Sequence, residues 1–299
     1  MARTCLVFDT AANISNNQFD DVYVIPLLIT EVIDGKIKTY RDGVDIDGKT
    51  CLEKLIAGQC LKTAQSIPKD VVDLMDKLSV EYDEVFFIPC PLQISNQYNS
   101  MKLICADYKN VHVFKQNMLA NFTLWTLEDL LDLNKKGKLT ADYIQKYLDE
   151  TQFAKAGVLN VPDFRYLKRG GRVSAFKAAM GSLLKFKVSI SYADSGLVMF
   201  DKTTNIKKIP AICEESFKAA IPNFSMSKIN RIWFGTSGIS DEKFKIDEIM
   251  ALMKKYFKVD KKVKVYEGPI TSVITAHTGP NYVIVGVGCD PKVLKINKK

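Results

Sequence analysis

A chain of 299 residues exceeds a single domain of roughly 100 to 200 residues, so about two domains with cores of their own are expected, without disulfide or metal staples. Apolar residues make up 47%, aromatic 10% and charged residues 25%, an ordinary globular composition that excludes long disorder, collagen-like sequence and coiled coil. The net charge of +8 comes from 42 basic and 34 acidic residues, the basic ones mostly lysines spread along the chain. No basic stripe alternates with aromatics, which disfavours nucleic acid and leaves an attraction for anionic partners.

In chain order, Leu6-Val7-Phe8 and Val22-Tyr23-Val24-Ile25 read as the first strands, and Asp34-Gly35 as a turn from which 36–40 returns as a short hairpin arm. Leu52, Leu55 and Ile56, then Val71, Leu74, Met75 and Leu78, fall at helical spacing, with Pro68 suited to the first turn of the second helix. Val85-Phe86-Phe87-Ile88 and Val111-His112-Val113-Phe114 are further strands, and this alternation predicts a βα architecture with a parallel sheet. Lys135-Lys136-Gly137-Lys138 breaks the pattern, and Thr140 then caps a helix through Ile144 and Leu148. A domain boundary is expected near residue 160, giving an N-terminal domain 1–160 and a C-terminal domain 161–299.

Beyond it, 175–184 reads as a helical run, and 187–192, the turn 193–196 and 197–202 as an antiparallel hairpin. Ile232-Trp233-Phe234 is a strand, and Ile246, Ile249, Met250, Met253 and Phe257 mark one face of a helix. Three more strands are predicted over 263–266, 271–276 and 282–287. The expected fold class is therefore α/β in two α/β domains, a three-layer N-terminal one with a parallel sheet and a C-terminal one with a mixed or antiparallel sheet and helices.

No apolar run approaches the roughly 18 to 20 residues of a spanning helix. Asp9 follows Leu6-Val7-Phe8 too soon for a secretory leader. The expectation is a cytoplasmic protein without stable membrane insertion, making transient membrane contact at most. Seven scattered cysteines without a C-x-x-C pair read as free, mostly buried thiols, and two histidines without a Cys/His cluster leave no metal site.

Lys168-Arg169-Gly170-Gly171-Arg172-Val173-Ser174 is the densest unusual feature. Paired glycines admit a ligand close to the backbone, a following helix offers free N–H groups, and Arg172 adds a guanidinium fork for carboxylate or phosphate. The alternative is a Gly-Gly turn among solvated basic residues, with Ser174 as a helix cap. Thr63-Ala64-Gln65-Ser66-Ile67-Pro68 reads as a loop between helices that either holds a carboxylate through neutral donors or only connects. Ser95-Asn96-Gln97-Tyr98 is a second polar loop after a strand, at the sheet edge where α/β ligands usually sit. Ala276-His277-Thr278-Gly279-Pro280 is expected to join two strands, with His277 either an anion donor or base or a structural hydrogen bonder. His112 is expected to be structural. Asp9, at a strand end, either faces the same crevice or caps a turn. The serine-hydrolase elbow, the P-loop and the dinucleotide fingerprint have no support.

In order and spacing these pieces resemble the DegV family of bacterial fatty-acid-binding proteins, over essentially the whole chain. Phe8-Asp9-Thr10-Ala11 is similar to its D-S/T-T-A, Tyr40-Arg41-Asp42-Gly43 to its Y-x-D-G, 167–174 to its L-x-x-G-G-R-[IV]-S, and His277-Thr278-Gly279-Pro280 to its H-x-G-P. The resemblance implies a long-chain fatty acid such as palmitate, stearate or oleate between two α/β domains, and no cofactor. Carried over by position, the carboxylate ligands are Thr63, Ser95 and His277. Arg172, Gly170, Gly171, Thr278 and Gly279 stand nearby as anion-binding or partner-facing residues. Ala64, Gln65, Pro91 and Leu92 occupy further head-group positions. Ala64 stands where the family has serine, Ser66-Ile67 replaces Pro-Ser, Pro91-Leu92 replaces paired serines, and Ser95-Asn96-Gln97-Tyr98 replaces S-G-T-Y. Each lost donor to a charged carboxylate is worth about 1.5 to 3 kcal/mol. The implied activity is carriage, not catalysis: the protein presents the carboxylate to a separate fatty acid kinase catalytic subunit that forms the acyl phosphate. Its rival is a small-molecule ligand-binding or enzyme subunit resembling the dihydroxyacetone-kinase substrate domain and using His277. Nucleic-acid binding is not expected.

Overall fold

The computed structural model describes residues 2–161, 166–167, 186–193, 196–237 and 245–294. Two compact units emerge, Met1–Asp149 with Thr271–Ile274, and Glu150–Ile270 with Thr275–Lys299.

The first unit is built on a parallel sheet in the order β2 (Val22–Ile25), β1 (Thr4–Asp9), β6 (Glu84–Ile88) and β7 (Val111–Val113). Strand side chains alternate between faces, and both faces here are apolar. Leu6, Phe8, Val22, Val24, Phe86 and Ile88 pack with Leu127 and Leu130 of α4 (Asn121–Lys135) and Ile144 and Leu148 of α5 (Ala141–Thr151). On the other face Cys5, Val7, Ile25, Val85, Phe87 and Val111 meet Val71, Met75 and Leu78 of α2 (Pro68–Glu81) and Met101 of α3 (Gln97–Ile104). The result is the three-layer arrangement expected from the sequence. Connections leave β1 toward β2 on one side and β6 on the other, which creates a switch point at the C-terminal end of β1.

A small antiparallel sheet, β4 (Lys36–Arg41), β3 (Leu28–Ile33), β5 (Lys62–Ala64), flanks this core. Asp34 at φ 50° and Gly35 at φ 74° turn the β3–β4 hairpin, as the Asp-Gly pair predicts. Helix α1 (Gly48–Ile56) buries Cys51 and Leu55, whereas Ile56, expected on its apolar face, is 57% exposed. Among residues outside any predicted element, 62–64 form a strand, and Gln97 and Tyr98, read as loop, open α3.

The second unit carries a six-stranded mixed sheet: β10 (Gly196–Thr203), β9 (Lys187–Ala193), β8 (Lys155–Val161), β13 (Val283–Cys289), β11 (Ile229–Thr236), β12 (Lys264–Glu267). Only β11–β12 is parallel. The boundary expected near 160 falls inside β8. One sheet face packs Ile209, Cys213 and Phe217 of α6 (Ile209–Ala220) and the predicted Ile246, Ile249 and Met253 of α7 (Ile246–Tyr256), together with Phe257. The expected strand 271–276 is instead α8 (Ser272–Thr278). Its β-branched Val-Ile-Thr run favours a strand by propensity, and tertiary context overrides that preference.

Candidate functional site

Two polar segments singled out in the sequence come together in the first unit. The Ser66 backbone N–H donates to Gln97 Oε1 at 3.3 Å, and Gln97 Nε2 donates back to Ser66 Oγ at 2.8 Å. Ser100 Oγ donates to Gln65 Oε1 at 2.7 Å. The stretch after β5 is thereby fastened to the first turns of α3. Ser95 stands just ahead of that helix, where its Oγ accepts the Gln97 N–H at 3.2 Å and its own N–H donates to the Pro91 carbonyl at 3.0 Å. Pro91 is buried and Leu92 exposed, so the pair in the place of paired serines contributes a turn.

On β5 the ladder separates Thr63 from Ala64. Thr63 pairs with Ile29 and so lies on the face of Ile29 and Tyr40, while Ala64 pairs with Leu28 and lies on the opposite face with Arg41. The missing serine hydroxyl at 64 therefore belongs to a different face from the Thr63 hydroxyl.

Two buried carboxylates mark the switch point. Asp9, 1% exposed, accepts the Ala11 N–H at 3.1 Å and the Cys90 N–H at 2.6 Å, which is the capping role left open above and also bridges β1 to the segment after β6. Burial pushes its pKa up to about 7 against the pull of those two N–H groups. Asp42, 4% exposed, is raised by burial to about 6, against the pull of the Thr10 and Ser272 hydroxyls and the Gly43 and Val273 N–H groups. Ser272 and Val273 are the first turn of α8, where a nearby carboxylate favours the start of a helix. The sequence signal was available in Tyr40-Arg41-Asp42-Gly43, which stood out as a motif without a role for its aspartate.

In the second unit His277 is half-buried in the last turn of α8, not between two strands. The helix ends through the Gly279 N–H, which donates to the Thr275 carbonyl at 2.8 Å. Gly279 adopts φ +83°, and a Cβ there would lie 2.3 Å from Tyr166 Cδ2. Only glycine fits so close under that ring. Tyr166 directly precedes 167–174, so the start of one resemblance-bearing motif rests on the other. Thr278 is buried, and Tyr282 Oη accepts the Ile270 N–H at 3.0 Å. Gly170, Gly171 and Arg172 lie outside the described residues. His112 is structural, its Nε2 2.6 Å from Glu84 Oε2.

Six of the seven cysteines are buried and Cys60 is exposed, and none forms a disulfide. Among the described residues no group of three or more His, Cys, Asp or Glu side chains is placed to hold a metal, and no helix is long and apolar enough to cross a membrane. The arrangement offers neutral hydroxyl and amide donors in one unit and an imidazole in the other.

The family model described as "Uncharacterised protein, DegV family" matches residues 3–290. A DegV domain-containing protein of Mycoplasma pneumoniae is 28% identical over 296 residues, 93% of this chain and 95% of that protein. The crystal structure of DegV, a fatty acid binding protein from Bacillus subtilis, matches with a TM-score of 0.78 and 25% identity over 97% of this chain and 100% of that one. The fatty acid kinase B3 protein of Streptococcus pneumoniae, loaded with linoleic acid, matches with a TM-score of 0.74 and 16% identity over 96% and 100% of the two chains.

Proposed function

Because the chain belongs to the DegV family, we propose that it binds one long-chain fatty acid and presents the carboxylate to a separate kinase subunit, which forms the acyl phosphate. The observation that carries this reading is the convergence of Gln65 and Ser66 with Ser95, Gln97 and Ser100 into one hydroxyl and amide cluster, on a fold matched end to end by a protein whose structure names it fatty-acid-binding. The carboxylate ligands are Thr63, Ser95 and His277, with Arg172 adding positive charge.

An acyl chain gains about 0.8 kcal/mol for each buried CH2, so the tail supplies most of the affinity and the head group sets orientation. Loss of the hydroxyls at 64, 91 and 92 is therefore compatible with lipid binding. The protein acts as a carrier and leaves phosphoryl transfer to its partner. The Streptococcus pneumoniae neighbour, itself named as part of a fatty acid kinase, supports that division of labour.

Denaturing extraction of the purified protein, followed by mass spectrometry, tests the reading. Near-stoichiometric C16 to C18 fatty acid is expected, sharply reduced in a Thr63→Ala plus His277→Ala variant. Recovery of no lipid, together with no rise in melting temperature on adding fatty acid, would refute it.

A further inference from the structure

We propose that Ser66 is a head-group-binding residue whose hydroxyl is held by Gln97 as a hydrogen-bond donor to the ligand carboxylate; the assignment rests on the fatty-acid reading above. Both side chains are buried, Ser66 at 3% and Gln97 at 0% exposure. A backbone N–H can only donate, so the Ser66 N–H, 3.3 Å from the Gln97 amide, must meet its oxygen Oε1. That contact fixes the orientation of the amide. Nε2 is left facing Ser66 Oγ at 2.8 Å, and it can only donate there.

A hydroxyl that accepts from an amide keeps its own proton to give. Ser66 is thus polarised as a donor, which a carboxylate requires, and the amide bond to its oxygen strengthens the next bond along the chain. The clamp is fixed at both ends. Gln97 is held at the start of α3 by the bond from its N–H to Ser95 Oγ, and Ser100 holds the neighbouring Gln65. Such locked rotamers are the condition for a preorganised anion site. In a segment whose residue 64 is alanine, Ser66 supplies the hydroxyl that Ala64 lacks.

Competition of palmitate and of 1-hexadecanol against a fluorescent fatty acid separates head-group from tail binding, since the two share one chain length. Ser66→Ala is expected to weaken palmitate about tenfold while leaving hexadecanol unchanged, in line with one bond to a charged acceptor. Ser66→Thr, which keeps the hydroxyl, is expected to restore most of that preference. Gln97→Leu should lose a similar factor and add little to Ser66→Ala. Wild-type preference in Ser66→Ala while Thr63→Ala loses its own would overturn the assignment and leave the fatty-acid reading standing. Equal losses for both competitors would also overturn it, because they would indicate a merely structural role. Failure of palmitate to compete in the wild-type protein would overturn both.

Discussion

Asp9 titrates in the folded protein near pH 7, against an ordinary value of 3.8. Between these values the folded state keeps a proton that the unfolded chain has released, so stability falls as pH rises through this window and levels off above it. Asp42, raised to about 6, acts with the same sign. The melting temperature is expected to fall between about pH 4 and about pH 7, and Asp9→Asn to flatten that slope; an unchanged slope in the variant would argue against Asp9 as its source. Gly279 gives a second residue-level expectation. Gly279→Ala combines a positive φ with a methyl driven into the Tyr166 ring, and should cost about 2 kcal/mol or more in urea denaturation. Adding Tyr166→Ala should recover the packing part of that loss and leave the backbone part. Glycine at 279 was legible as part of H-x-G-P, but its reason was not, because the ring above it comes from residue 166.

Elements were legible where one rule dominated. The β1, β2, β6 and β7 runs are apolar on both faces, and helices such as α2 and α7 carry their stripe at helical spacing, so periodicity alone suffices. Phe87, central in that parallel sheet and fully buried, should cost about 3 to 5 kcal/mol when truncated to alanine, read from the shift of the urea midpoint. Sequence failed where a distant partner decides. Helix α8 starts beside Asp42, about 230 residues away in order, and its run prefers a strand by local propensity. Strand β5 has three residues, too few for an alternation to register, and exists because β3 offers an edge. The start of α3 was hidden by the same polar residues that make it interesting.

For the whole molecule, two α/β units with a parallel and a mixed sheet follow from the order of strand and helix patterns, while β8 joins the second sheet. Removing the bound lipid should lower the melting temperature, and fatty acid at about 100 times its dissociation constant should add about 2.7 kcal/mol. Differential scanning calorimetry of delipidated and reloaded protein measures it. The small sheet also sets a rule on chain length. Because side chains on β5 alternate with period two, deleting one residue between α1 and β5, with pairing to β3 kept, would put Ala64 in the place of Thr63 and remove a hydroxyl without any substitution. A deletion of two would keep the face but change the residue presented. An odd change there exchanges the two faces of β5, whereas an even one keeps the faces and sets Gln65 where Thr63 stood, so the first should cost folding stability as well as the hydroxyl and the second the hydroxyl alone.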